Sequence, residues 1–161
     1  MSPKPKDEAA PIELIASNRA ATHNYFISDK LEAGLVLKGT EVKSLRAKHC
    51  QIKDAYARVD GKGNLEILNF HINPYEQGNR YNPDPDRTRR LLAHKREIAK
   101  LEVAIRLKGL TLVPLRVYFK GSVAKVELGL GKGKAEYDKR ASIKERDQNR
   151  EARQALKGRQ R

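Results

Sequence analysis

The 161-residue chain has no tryptophan, one cysteine and one methionine, and only 6% of its residues are aromatic. A single cysteine, Cys50, excludes an intramolecular disulfide, which fits a reducing compartment. Cys50 itself reads as a small packing residue rather than a nucleophile. No apolar run approaches the roughly eighteen residues that a membrane span requires. No basic helix shows the strong apolar face of a membrane-surface segment. MSPKPKDEAA, at the start, lacks the apolar centre of a signal peptide. The expectation is a cytoplasmic protein with no membrane partner.

The patterns of catalysis are equally sparse. The four histidines, His23, His49, His71 and His94, are scattered and share no ligand spacing with Cys50, so no metal is expected. GLGKGK resembles a phosphate-binding loop only superficially. No GxxxxGK spacing exists, and no Ser or Thr follows the lysine. Asp84 and Asp86 lie close together, but the prolines around them and the RTRR that follows suit a loop and a helix cap better than a catalytic pair. No nucleophile-base pair stands out. The chain reads as a binder without cofactor, not an enzyme.

What the chain has in excess is positive charge: 34 Lys and Arg against 20 Asp and Glu, a net +14. A polyanion is the natural partner of such a surface, and nucleic acid the commonest polyanion. At this length one modest core with extensions is affordable, not two.

Along the chain, residues 1–11 carry prolines and charges and read as a disordered arm, 12–130 as globular, and 131–161 as a basic tail. Within 12–130, Ser17-Asn18 suits a turn into the strand HNYFIS, and LEAGLVL reads as a second strand. Thr40 fits the N-cap of a short helix, TEVKSLRAKH. Asp60-Gly61 turns a hairpin between the Ala57-Val59 and Leu65-Ile67 runs. After the loop NPYEQGNRYNPDPD, Asp86 is expected to cap a helix RTRRLLAHKREIAKLEVAIRLKG, closed by Gly109 and drifting in register near His94-Lys95. TLVPLRVYFKG and SVAKVELGLG form a last hairpin, with Pro114 marking an edge or a bulge. About six short strands and two or three helices cannot make a flanked parallel sheet. The expected fold is mainly β: a small antiparallel oligonucleotide-binding-like barrel with two or three flanking helices and a disordered basic C-terminal tail.

The tail holds eleven Lys/Arg against five acids, with Tyr137, Ile143 and Leu156 its sizeable apolar side chains. It cannot offset its ordering entropy by burial. Yet 135–157 contains no glycine or proline and is rich in helix formers, so a neutralising surface should fold it, with GKGK as hinge and Lys132 and Lys134 placed for phosphates. In the barrel, five basic residues from Arg87 to Arg96 are candidates for phosphate contact, Arg89 and Arg90 among them, and Arg19 is a further one. Asn18, Glu32 and Lys125 sit among apolar residues, where a polar group serves either a structural hydrogen bond or a nucleotide.

NRAATHNYFISDKLEAGLVLKGTEVKSLRA (18–47), DPDRTRRLLAHKREI and GKGKAEYDKRASIKER together resemble the SsrA-binding protein family, also called small protein B, in order and over nearly the whole chain. The resemblance implies an oligonucleotide-binding-like barrel. It also implies binding to transfer-messenger RNA and its delivery to stalled ribosomes for trans-translation, by a monomer. By position, Asn18, Glu32, Leu91, Leu92, His94 and Lys125 would fall on the face that holds the tRNA-like domain. The tail residues Tyr137, Asp138, Lys139 and Arg140, then Ile143, Lys144 and Arg146, would enter the small-subunit decoding centre and the vacant mRNA channel. Many members carry histidine where this chain has Tyr137, a change that keeps base stacking and loses a titratable charge. The implied mechanism is mimicry: the barrel replaces a missing anticodon arm, and the tail senses an empty channel. A ribosomal or single-stranded RNA-binding protein without a rescue role fits composition and barrel equally well, and only the ordered motifs separate the two.

Overall fold

The structure is a computed structural model that describes residues 11–159, with the side chains of 79, 136–138 and 159 left undescribed; the expected arm at 1–10 therefore lies outside it. Nine strands and four helices follow one another: β1 (Ile12–Ser17), α1 (Arg19–Asn24), β2 (Tyr25–Leu35), α2 (Gly39–Arg46), β3 (Cys50–Gln51), β4 (Tyr56–Val59), β5 (Leu65–Leu68), β6 (His71–Ile72), β7 (Arg89–Leu92), α3 (Lys95–Lys108), β8 (Thr111–Lys120), β9 (Val123–Gly133) and α4 (Glu136–Arg159). A 3-10 turn, Glu76–Tyr81, interrupts the proline-rich loop.

Six strands pair in the order β8-β4-β5-β7-β2-β9, and β9 pairs back onto β8 to close the ring, every pair antiparallel. β1 adds to β8, and β3 pairs with β6 in a separate two-stranded ribbon. This is the expected barrel, and closure removes the open edges that a sheet of this size would otherwise expose. Its interior is filled by the inward residues of each strand: Ala33 and Leu35 from β2, Leu65 and Ile67 from β5, Val117 and Phe119 from β8, and Val126, Leu128 and Leu130 from β9. α3 packs Ile98, Leu101 and Ile105, at i, i+3 and i+7, onto the barrel and ends at Gly109, whose φ of 63° is the left-handed cap that glycine adopts without strain.

Several local expectations are corrected. The two strands HNYFIS and LEAGLVL are one eleven-residue β2, continuous through a bulge between Ile27 and Asp29. IELIAS forms a strand, and Asn18, before α1, makes no side-chain cap bond. α2 begins at Gly39, one residue before Thr40, and its first turn is secured by the Lys38 backbone N–H donating to Glu41 Oε1 at 2.9 Å. The long helix expected from Arg87 is divided: Arg89–Leu92 is strand, and α3 starts only at Lys95. Arg89 and Leu91 point inward while Arg90 and Leu92 point out, a period of two that a helix cannot give. Pairing on both sides, with β5 through Leu65–Leu91 and with β2 through Leu35–Leu91, outweighs the helical propensity of RRLL. The bulge expected at Pro114 is present, between Pro114 and Arg116.

The end of the barrel also differs. GKG of the expected hinge is strand, with Gly131, Lys132 and Gly133 paired to Ile27, Phe26 and Tyr25. The tail, expected disordered when free, forms the helix α4, which buries none of its described side chains. Its helix formers give it the local propensity, but no apolar stripe holds it to the barrel. Lys134 makes the junction: its backbone N–H donates to Asn24 O at 2.8 Å, and its Nζ donates to Thr22 O and Ser142 Oγ, each at 3.1 Å.

Candidate nucleic-acid interface

The outer face of the barrel is built from the residues that alternate with the core. On β2, Ala33 and Leu35 face inward, so Glu32 and Gly34 face out. On β9, Lys125 lies between the inward Ala124 and Val126, and on β8 Tyr118 lies between the inward Val117 and Phe119. Strand register then sets four of these residues in one row across four strands, Tyr118 opposite Lys125, Lys125 opposite Gly34, and Gly34 opposite Leu92. Gly34 has no side chain, so the row is open in its middle.

On this face lies a cleft of about 600 Å³ lined by Lys30, Leu31, Glu32, Leu92, Ala93, His94, Glu97 and Lys125. Four of the sequence candidates, Glu32, Leu92, His94 and Lys125, thus come from three separate chain segments to one place. Leu92 is 57% exposed, an apolar surface of the kind that a base or sugar face covers. His94 stands just ahead of α3, where the His94 backbone N–H donates to Glu97 Oε2 at 3.2 Å. The Glu32 carboxylate accepts a hydrogen bond from the Tyr118 hydroxyl on Oε2, while Oε1 lies 3.8 Å from both Lys120 Nζ and Lys125 Nζ. Lys30 pairs with Glu127 at 3.7 Å on the same side. A second cleft of about 590 Å³ adjoins the first through Leu92 and Ala93 and brings in Lys62, Arg90 and Lys95, with Arg90 donating to Asn64 Oδ1 at 3.2 Å. Lysines around an apolar patch and two carboxylates, Glu97 engaged with the His94 amide and Glu32 with Tyr118, provide phosphate attraction, stacking surface and hydrogen-bond acceptors together.

Three candidates do not reach this surface. Arg89 is fully buried: its guanidinium donates to Glu41 Oε2 at 2.6 Å, to Pro85 O at 3.0 Å, and to the Phe70 carbonyl. Its partner Glu41, also buried, accepts in addition from Arg87. Burial pushes the Glu41 carboxyl up, but the hydrogen bonds from Arg87, the Lys38 amide and Arg89, with the charge of Arg89, outweigh it and hold it below the usual carboxylate range. Burial likewise lowers the Arg89 guanidinium, and Glu41 opposes that shift. Leu91, 2% exposed, belongs to the barrel core. Asn18, 6% exposed, donates from Nδ2 to Pro114 O at 3.1 Å and from its backbone N–H to Leu115 O at 2.7 Å. It lines a different cavity, of about 370 Å³, with Tyr25, Lys53 and Tyr56. Arg19 is exposed at the start of α1.

In the tail, Lys132 is exposed on β9, Arg140, Lys144 and Arg146 are exposed on α4, and Lys139 is half-buried. Ile143 is largely exposed too. The Tyr137 and Asp138 side chains lie outside the described residues. Arg146, Arg150, Arg153 and Lys157 share one helix face, a stripe at 3.6-residue spacing that contains three cations beyond those expected. Tyr118, Lys30, Lys62 and Lys120 are further candidates on this face that the sequence pattern did not single out, because their place depends on strand register, whereas Lys95 was among the five basic residues expected there. Burial pushes the Cys50 thiol up to about 11, consistent with an inert packing role. Among the described residues no group of three or more His, Cys, Asp or Glu is placed to hold a metal, and no helix is long and apolar enough to cross a membrane.

Comparison with known proteins gives the lineage. The family model described as SmpB protein matches residues 15–158. An SsrA-binding protein of Carboxydothermus hydrogenoformans is 55% identical over 147 residues, covering 91% of this chain and 98% of that protein. An SsrA-binding protein of Anoxybacillus flavithermus is 53% identical over 156 residues, covering 97% of this chain and 99% of that one. A solved structure described as "tmRNA-SmpB: a journey to the center of the bacterial ribosome" matches with a TM-score of 0.63 at 48% identity, over 79% of this chain and 87% of its own.

Proposed function

The chain belongs to the SmpB protein family, and from that premise we propose that it binds transfer-messenger RNA and carries it to stalled ribosomes in trans-translation. The observation that carries the reading is the convergence of Glu32, Leu92, His94 and Lys125 on one cleft of a closed barrel, in a chain of net charge +14. Lys30, Lys120 and Lys125 meet phosphates of the tRNA-like domain, Leu92 packs on a base or sugar, and Glu32 accepts from a nucleotide donor. Arg90, Lys62 and Lys95 extend the contact along the second cleft. Asn18 serves this surface from behind, by fixing the chain that enters β2 through its bonds to Pro114 and Leu115.

The proposed division of labour has two parts. Residues 12 to about 133 form the RNA-holding body. The rest is a separate module that enters the decoding centre and the empty mRNA channel through Tyr137, Asp138, Lys139 and Arg140, followed by the helix bearing Ile143, Lys144 and Arg146. A helix this basic, with no core of its own, gains its order where phosphates neutralise it. A messenger already in the channel excludes it. The direct test is purification of the tagged protein from its own cells and sequencing of the RNA it retains. One discrete species of several hundred nucleotides is the expected result; a heterogeneous mixture of fragments would assign the chain to general RNA binding instead.

A further inference from the structure

A carboxylate in a phosphate-binding surface needs a reason, because every phosphate it faces repels it. Glu32 is flanked by Lys120 and Lys125 at 3.8 Å each, yet neither approaches within hydrogen-bond distance. Among the described residues, the one tight contact on its carboxylate is the hydroxyl of Tyr118, reached across 86 residues of sequence from β8. Tyr118 is buried, but it stands outside the cluster that fills the barrel, to which Val117 and Phe119 on either side of it belong. Its ring lies on the outer face beneath the Arg116 guanidinium, 5.2 Å away, and only 2% of it is exposed. A buried polar tip usually finds its partner in the backbone; this one is spent on the side chain of an exposed interface residue.

Resting on the RNA-binding reading above, we propose that Tyr118 is a positioning residue for recognition: its hydroxyl fixes Oε2 of Glu32, so that Oε1 faces the cleft as a single acceptor for an N–H or O–H donor of RNA. A free glutamate samples many rotamers and loses that freedom on binding, whereas one held in advance does not. Tyr118 suits the task because its ring has only two torsions and is already packed. Burial, reinforced by the hydrogen bond to Glu32 and its charge, pushes the Tyr118 phenol well up, so the group remains a donor at every pH the protein meets. Lys120 and Lys125, beside the free oxygen, place a phosphate next to the donor that Oε1 accepts. Tyr118→Phe therefore removes one atom, outside the cleft lining, and releases the acceptor inside it.

The test uses the full chain and an RNA transcript of the tRNA-like domain, comparing wild type, Y118F, E32Q and the double variant by equilibrium titration, with melting temperatures measured alongside. E32Q and Y118F are each expected to weaken binding by roughly tenfold, the scale of a lost hydrogen bond to a charged group. The double variant should be no weaker than E32Q alone. That non-additivity is the readout a merely structural tyrosine does not produce. If Y118F binds as wild type while E32Q is weakened, or if the two losses add, the positioning role is wrong and the RNA face survives. If E32Q binds as wild type, the assignment of the cleft itself fails. A measurement independent of any variant's folding is the Tyr118 hydroxyl proton in the free protein: a slowly exchanging resonance coupled to Glu32 is expected, and free exchange with water overturns the proposal.

Discussion

Replacing Arg89 by methionine separates two readings of RTRR that differ completely in consequence. As a phosphate ligand, Arg89 would contribute to RNA affinity and nothing to stability; as a member of a buried network, it would do the reverse. Its guanidinium is wholly buried against Glu41, itself 3% exposed. Methionine fills similar space but leaves Glu41 with Arg87 and the Lys38 amide, and deprives the Phe70 carbonyl of Arg89's hydrogen bond; Pro85 O keeps a donor in the Ile72 backbone N–H. Removing one partner of a buried pair costs about 3–5 kcal/mol, and since Arg87 still neutralises Glu41, the lower end, about 3 kcal/mol, is the expected loss. At roughly 3–5 °C per kcal/mol for a domain of this size, the melting temperature should fall by roughly 9–15 °C. RNA affinity, titrated well below that transition, should stay within about twofold of wild type, less than 0.5 kcal/mol. Removing both buried charges in E41L/R89M should recover most of the loss, since a well-packed apolar pair is often as stable as the ion pair it replaces, and Arg87, half-buried, can turn to solvent. Scanning calorimetry and filter binding suffice. An R89M protein that melts like wild type and has lost RNA would refute the buried network and restore Arg89 to the interface.

Three further outcomes are expected. Truncation after Gly133 should leave affinity for the tRNA-like domain nearly intact and abolish peptide tagging on stalled ribosomes, measured by in vitro trans-translation; equal loss of both would make body and tail one module. Amides of α4 beyond Ala141 should exchange within seconds in the free protein and become protected on the ribosome, because a helix with no buried side chain among those described has only the marginal stability of an isolated one; strong protection in the free protein would rule out folding on binding. Stability should decline on acidification in part through Glu41: its folded carboxyl titrates below the ordinary 4.5, so its contribution is full above that value and is lost as pH falls through the lower folded one. E41Q, destabilised at neutral pH, should therefore show a flatter acid limb in melting temperature than wild type, and parallel limbs would contradict the assignment.

The barrel was legible because its signals are local. Asp60-Gly61 turns β4 into β5, with Asp60 Oδ1 accepting from the Lys62 and Asn64 amides at 2.8 Å each, and alternation in TLVPLRVYF and SVAKVELGL declares the last hairpin without reference to anything distant. What failed was decided elsewhere in the chain. RRLL has good helix formers and follows a plausible cap, and it becomes strand because β5 and β2 flank it on both sides, a fact recorded at residues 34–35 and 65–67 rather than at 89–92. GKG reads as a hinge by composition and is strand because Tyr25, Phe26 and Ile27 are there to pair with it.

The same asymmetry governs the interface. Glu32 and Lys125 could be marked out as charges among apolar neighbours, and each stands on the outward side of a strand whose inward side is core. Arg89 carried a stronger charge signal and was misleading, since formal charge says nothing about which face of a two-residue period a side chain occupies. The middle position of the strand row, Gly34, carries no chemistry at all. Its missing side chain separates Lys125 from Leu92 in a row that exists only once β7, β2, β9 and β8 are in register. A Cβ at Gly34 would meet Leu92 Cβ at 3.5 Å, ordinary contact, so the fold does not demand glycine there. Glycine there keeps the row low between Lys125 and Leu92, a consequence of register that no local rule announces.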